Sequence, residues 1–245
     1  MNQLLQKSNF KTATIKKFYK NQIDEQKLLK SRSNLYCTKK RVVALKKALE
    51  DNVDIAIFDD GLQDPSLNYD LSFVCFNNVN WIGNGLLIPS GPLREKFKSI
   101  YKHDAVFLNG NEEDNSEIIN SIKKINADMR IFETYYHPIN INNFNIQDNF
   151  LIFSGIGSPN SFKKTLLKYN FKIIEEIIFP DHYQYTNKDI EEIKLSATNL
   201  NAKILTTEKD YIKISQQSLN GINFLEIDLV IKKEDELINF IKSKI

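Results

Sequence analysis

The chain alternates between helix-spaced and strand-like blocks of apolar residues. Between 41 and 50, Val42, Leu45 and Leu49 recur at three- and four-residue intervals, which predicts a helix with one apolar face. Apolar runs at 53–58, 71–76 and 104–108 predict strands. A loop at 77–89 lies between the last two, and Pro92 then stands where a helix would take it in its first turn. Residues 115–125 carry Ile118, Ile119, Ile122 and Ile125 on or near one face, which predicts another helix. The stretch 129–141 is rich in Tyr and Ile and is expected to be extended.

A second series starts at Phe150. Residues 151–153 read as a buried strand and Gly155-Ile156-Gly157 as a tight turn. Ser158-Pro159 supply a cap and first residue for a helix reaching 169. A strand at 171–179, a helix at 187–200, a short strand at 203–205, a strand at 223–231 and a closing helix at 234–244 follow. Strands alternating with helices require mostly parallel sheets covered on both faces, which is the α/β class. The expected organisation is a first α/β/α unit at 1–133, an extended connection at 134–149 and a second α/β unit at 150–245.

Composition leaves this picture in place. With 42% hydrophobic residues, and charges of both signs interspersed, 245 residues suffice for one large or two modest domains. A net charge of +2 singles out no partner, and no nucleic acid is expected. Cys37 and Cys75 lack metal-ligand spacing and suit a reducing cytoplasm. No apolar run approaches the roughly 18 residues of a spanning helix.

Several polar clusters add chemistry. Asp59-Asp60-Gly61 closes the strand at 53–58, and ligands gather at the carboxyl ends of strands in parallel sheets. An apolar strand ending in acids is similar to the Mg²⁺-holding strand of P-loop phosphotransferases, although Asp and Gly are also ordinary turn residues. The usual partner of such a strand, G-x-x-x-x-G-K-[ST], does not occur, and the first of the 8 glycines is Gly61. The loop at 81–95 carries Gly83, Gly85, Gly91, Pro89 and Pro92, which suits a functional loop or a well-formed connector. Within it, Arg94 could grip a phosphate, and Glu95 could reach a metal or favour a helix N-terminus. His182, in Phe179-Pro180-Asp181-His182-Tyr183, could orient a carboxylate, shuttle a proton or be structural. Thr206-Thr207-Glu208-Lys209-Asp210 reads as a helix cap with an ion-paired first turn, and Asp24-Glu25 as part of a charged helix face.

Taken in order, these stretches resemble the tetraacyldisaccharide 4'-kinase family of lipid A biosynthesis. The likeness runs from about Asp24 to the C-terminus, and its most specific part is Gly83-Asn84-Gly85-Leu86-Leu87-Ile88-Pro89-Ser90-Gly91-Pro92-Leu93-Arg94-Glu95. The resemblance implies two α/β/α domains, a P-loop-kinase-like core and an active site in the cleft between them. It implies ATP- and Mg²⁺-dependent phosphorylation of the 4'-hydroxyl of a lipid-linked glucosamine disaccharide. The expected place is the cytoplasmic face of the inner membrane, in peripheral contact with it. By the same resemblance Asp24 is the catalytic base and His182 its partner, Asp59 and Asp60 hold the metal, and Asn84, Arg94 and Glu95 line the substrate cleft. Two departures stand out. Asp64 occupies a position where the family typically has histidine, and the P-loop with its preceding membrane-associating helix is not seen. The implied core is therefore incomplete at its N-terminus, and turnover by this chain alone should fall by orders of magnitude. The alternative is a non-catalytic remnant that binds the glycolipid or serves a partner.

Overall fold

A computed structural model describes residues 1–20, 22–110 and 114–245, with the side chain of Asp24 outside the description. The first series runs α1 (Asn2–Lys7), β1 (Thr12–Lys17), α2 (Ile23–Arg32), β2 (Leu35–Thr38), α3 (Arg41–Glu50) and β3 (Ile55–Phe58). It continues with β4 (Phe73–Asn77), β5 (Ala105–Gly110), α4 (Ser116–Ile125) and β6 (Arg130–Pro138). The second holds β7 (Asn149–Ser154), α5 (Pro159–Lys168), β8 (Lys172–Ile178), α6 (Asn187–Asn199) and β9 (Lys203–Thr207). It closes with α7 (Glu208–Tyr211), β10 (Ile222–Leu225), β11 (Ile227–Ile231) and α8 (Glu234–Lys242).

Three sheets result, ordered β2-β1-β3, β11-β6-β5-β4 and β10-β9-β7-β8. Every pairing is parallel except β11 on β6, so the α/β fold with mostly parallel sheets is the fold observed. β7 is buried on both faces, as an unbroken apolar strand should be. Leu151 and Phe153 pack with Ile190, Ile193 and Ala197 of α6, while Phe150 and Ile152 pack with Phe162 and Leu166 of α5. β1 is asymmetric. Ala13 and Ile15 meet Ala44 and Ala48 of α3, and the alternate residues Thr12, Thr14 and Lys16 occupy the opposite face. Among the described residues β3 and β4 each pair along one side only. Ile55, Ile57 and Phe73 from these two open-edged strands join one apolar cluster with Leu5, Ala105, Phe132 and Leu237.

Three local expectations change. β1 and β2 were not foreseen, because Lys16 and Lys17 interrupt the apolar signal of residues 12–17. No helix opens at Pro92, and a 3-10 turn starts only at Phe97. The reason is that the Leu93 amide donates to the Leu86 carbonyl while the Leu93 carbonyl accepts from the Ile88 amide, so these backbone groups are committed to the loop. The stretch 223–231 is two strands in different sheets, broken at Glu226. There the Asn140 side chain accepts from the Glu226 amide at 2.9 Å and donates to the Phe224 carbonyl at 2.9 Å. No described helix is long and apolar enough to cross a membrane.

Candidate active site

The carboxyl ends of β1 and β3 carry the acids. Ile15 pairs with Phe58, and the Asp59 amide donates to the Ile15 carbonyl at 3.0 Å, so Lys16 and Asp59 emerge side by side. The Lys16 ammonium is ion-paired with Asp59 and lies 3.3 Å from Glu25 Oε2. Burial alone would lower its pKa, but the hydrogen bonds and charges of Asp59 and Glu25 outweigh that and hold it above the ordinary lysine value.

The next residue takes a different cation. Asp60 Oδ1 accepts from Arg94 Nη1 at 2.7 Å, and Gln63 shares the same donor at 2.7 Å. Arg41, buried at the start of α3, clamps the turn from beneath. Its Nη2 donates to the carbonyls of Asp59 at 3.2 Å and Asp60 at 2.7 Å, and its Nη1 lies 3.5 Å from Asp64 Oδ2. The Asp64 carboxyl is held below the ordinary range, first by the Ser66 hydroxyl and amide that donate to it and then by Arg41. A cleft of about 280 Å³ opens here, lined by Lys17, Tyr19, Arg41, Asp60, Gln63 and Asp64. A larger cavity of about 470 Å³ lies at the amino ends of β7, β8 and β9, against Asn149, Lys172 and Lys203. We favour the smaller cleft because parallel sheets bind ligands at their carboxyl ends.

His182 approaches from the second series. Its amide donates to the Gly155 carbonyl at 3.2 Å, just past the end of β7. The Gly155 amide in turn donates to Asp210 Oδ2 at 3.0 Å. Asp210 is fully buried, accepts from the Thr207 hydroxyl at 2.7 Å and pairs with Lys213 at 2.8 Å. Thr207 caps α7 by accepting from the Asp210 amide at 3.1 Å, as the reading of this turn as a cap expects. The motif's buried members thus hold the loop bearing His182, and its half-buried members Glu208 and Lys209 reach across. Glu208 pairs with Arg32 of α2, and Lys209 Nζ lies 3.5 Å from Glu25 and 3.6 Å from Asp181.

Glu25 closes the circuit, since its Oε1 is 3.9 Å from His182 Nε2. A continuous line of polar contacts therefore runs from Asp59 through Lys16 and Glu25 to His182. Asp24 lies in the first turn of the same helix, with its side chain outside the described residues. Asp60 and Arg94 adjoin this line. Asn84 braces its own loop, accepting from the Leu86 amide at 3.1 Å and donating to the Ser90 carbonyl at 2.8 Å. Glu95 is exposed and enters no hydrogen bond or ion pair with the described residues. Asp60 and His182 both adopt positive φ, at 50° and 60°. Such backbone costs about 1–3 kcal/mol and persists where surrounding contacts over-determine it.

Sequence reasoning missed Lys16 and Lys209 as site residues and gave Glu25 no role beyond a charged face. Alternation of Thr12, Thr14 and Lys16 against Ala13 and Ile15 was the available signal for a strand with one polar face. The register that sets Lys16 beside Asp59 was not readable.

Among the described residues no group of three or more His, Cys, Asp or Glu side chains could cage a metal. Mg²⁺ needs no such cage, because it is commonly held by one or two carboxylates together with substrate phosphates and water. Asp59, 41% exposed at a strand's carboxyl end, is a hard oxygen donor of that kind.

Comparison with known proteins gives a consistent result. The family described as tetraacyldisaccharide-1-P 4'-kinase matches residues 12–245. A tetraacyldisaccharide 4'-kinase of Pelagibacter ubique is 46% identical over 237 residues, covering 97% of this chain and 76% of that relative. Relatives of the same name from Rickettsia bellii and Rickettsia canadensis are 37% and 34% identical, covering 86% and 87% of this chain. The chain spans 65% and 64% of the length of those two.

Proposed function

Since the chain belongs to the tetraacyldisaccharide-1-P 4'-kinase family, we propose that it forms the acceptor-side and metal-side residues of an ATP-dependent kinase. The acceptor is the 4'-hydroxyl of a lipid-linked glucosamine disaccharide, met at the cytoplasmic face of the inner membrane. The observation that supports this reading is the line of contacts from Asp59 through Lys16 and Glu25 to His182, which links the proposed metal-side acid to the proposed histidine through the residue next to Asp24.

In this reading Asp24 takes the acceptor proton, and His182 orients that carboxylate. Asp59 is the residue that would hold Mg²⁺, with Asp60 beside it, and the metal when bound would neutralise charge on nucleotide phosphates. Arg41 keeps both acids in place by their carbonyls. Arg94 offers its guanidinium to a phosphate oxygen once Asp60 releases it. The motif G-x-x-x-x-G-K-[ST], which builds the phosphate cradle of P-loop kinases, does not occur in the 245 residues. The open edges of β3 and β4 are where a strand bearing such a loop would pair.

The test uses two proteins: the 245-residue chain, and a fusion carrying the part of the Pelagibacter relative outside the match. The fusion should transfer phosphate from ATP to the disaccharide in the presence of Mg²⁺, and the chain alone should do so orders of magnitude more slowly. Glycolipid binding by both with turnover by neither would replace this reading with the non-catalytic one.

A further inference from the structure

The Lys16 ammonium has an unusual position for a lysine. It is 7% exposed, whereas its partner Asp59 is 41% exposed, so the cation reaches the carboxylate from inside the protein and leaves the outer side of that carboxylate to solvent. The register explains this. On one face of the sheet Lys16 lies between Cys37 of β2 and Asp59 past the end of β3, and strand pairing fixes it there. A surface lysine samples many rotamers, but this one has a short list of partners. The second partner, Glu25, is already at 3.3 Å.

We propose that Lys16 is a built-in counter-cation that occupies the Asp59 carboxylate and competes with a divalent metal for it. The proposal rests on the kinase reading only for naming Asp59 as the metal-side acid. Two cations on one carboxylate repel each other, so metal binding weakens the Lys16–Asp59 contact. Released from Asp59, Lys16 retains Glu25, and Glu25 contacts His182 and Lys209. Arrival of a metal at Asp59 is thereby transmitted to the acid–base side by one ammonium changing its share between two carboxylates.

The experiment is Mn²⁺ titration of the full 245-residue chain, with free Mn²⁺ read by electron paramagnetic resonance. Lys16→Met should bind Mn²⁺ on the order of tenfold more tightly than wild type, because the competing charge is gone. Lys16→Arg should stay near wild type, and Lys16→Met combined with Asp59→Asn should lose the gain. Equal affinity in wild type and Lys16→Met overturns the proposal, as does a gain that survives Asp59→Asn. The wild-type chain gives a second test that needs no substitution. Saturating Mg²⁺ should shift the ¹⁵Nζ resonance of Lys16, and an unmoved resonance at saturation overturns the proposal. Failure of the fusion to turn over ATP, alongside the expected Mn²⁺ pattern, would remove the kinase reading and leave the competition standing.

Discussion

β3 and β7 both end in loops that carry the candidate chemistry, yet they are held in opposite ways. β3 has four residues, none fully buried, and among the described residues pairs only with β1. Its acids are fixed by three cations: Lys16 on Asp59, Arg94 on Asp60, and Arg41 on the carbonyls of both. β7 is paired on both sides and buried from Phe150 to Ser154. Its exit at Gly155 is fixed by a buried carboxylate, Asp210, and that exit holds His182. The difference teaches where a ligand can intervene. Charges beside β3 are those a phosphate or a metal would contest, whereas the core hydrogen bonds behind β7 are out of a ligand's reach.

The comparison predicts that substitutions on the two sides separate function from stability. The largest effect should be on turnover, in the fusion that carries the nucleotide-side segment. Asp24→Asn should lower kcat by about 10²–10⁴-fold with little change in ATP affinity, since a base acts in the transition state. His182→Ala should cost less, and the double variant should add little to Asp24→Asn. Unchanged kcat in Asp24→Asn would remove the base assignment.

On the β7 side the effect should be on folding. Asp210→Ala removes the carboxylate from Lys213 and the acceptor from Gly155, and breaking a buried pair costs about 3–5 kcal/mol. Thermal unfolding followed by circular dichroism should drop by on the order of 10 °C. A drop of only a degree or two would mean that Gly155 and His182 are held by something else.

Arg41 sits between these extremes. Arg41→Met should destabilise the chain by about 2–3 kcal/mol, as expected when hydrogen bonds from a buried charged donor are lost. Arg41→Lys should recover little, because one ammonium cannot match the planar fork across two carbonyls and Asp64. Full recovery with lysine would reduce Arg41 to a simple charge. The smallest effect belongs to Thr186, whose hydroxyl accepts from the Asp189 amide at 3.2 Å in a capping box on α6. Thr186→Ala should cost about 1 kcal/mol, or roughly 2–4 °C, and leave turnover alone.

The same contrast governs what the sequence disclosed. Along β7, α5 and α6 the buried apolar residues follow a local pattern, so strand, turn and helix were readable in order, including Pro159 at the first turn of α5. Around β3 the elements depend on long-range charges. β1 hid behind Lys16 and Lys17, and Glu25 looked like a solvated face until α2 met the loop of His182. Arg94 was recognised as a phosphate-type residue, but its present partner, Asp60, lies 34 positions away. Periodicity reports which face of an element is apolar. It does not report which charges a fold will bring together.

The most direct test of the account is whether the metal-side acid and the histidine share one site in solution. The chain has 3 histidines, so their imidazole resonances are few. With saturating Mn²⁺, the His182 lines should broaden strongly through their proximity to Asp59, and Asp59→Asn should abolish the broadening at the same metal concentration. His103, just ahead of the amino end of β5, serves as the internal reference and should stay sharp. His182 lines that remain as sharp as those of His103 at saturation would contradict the account.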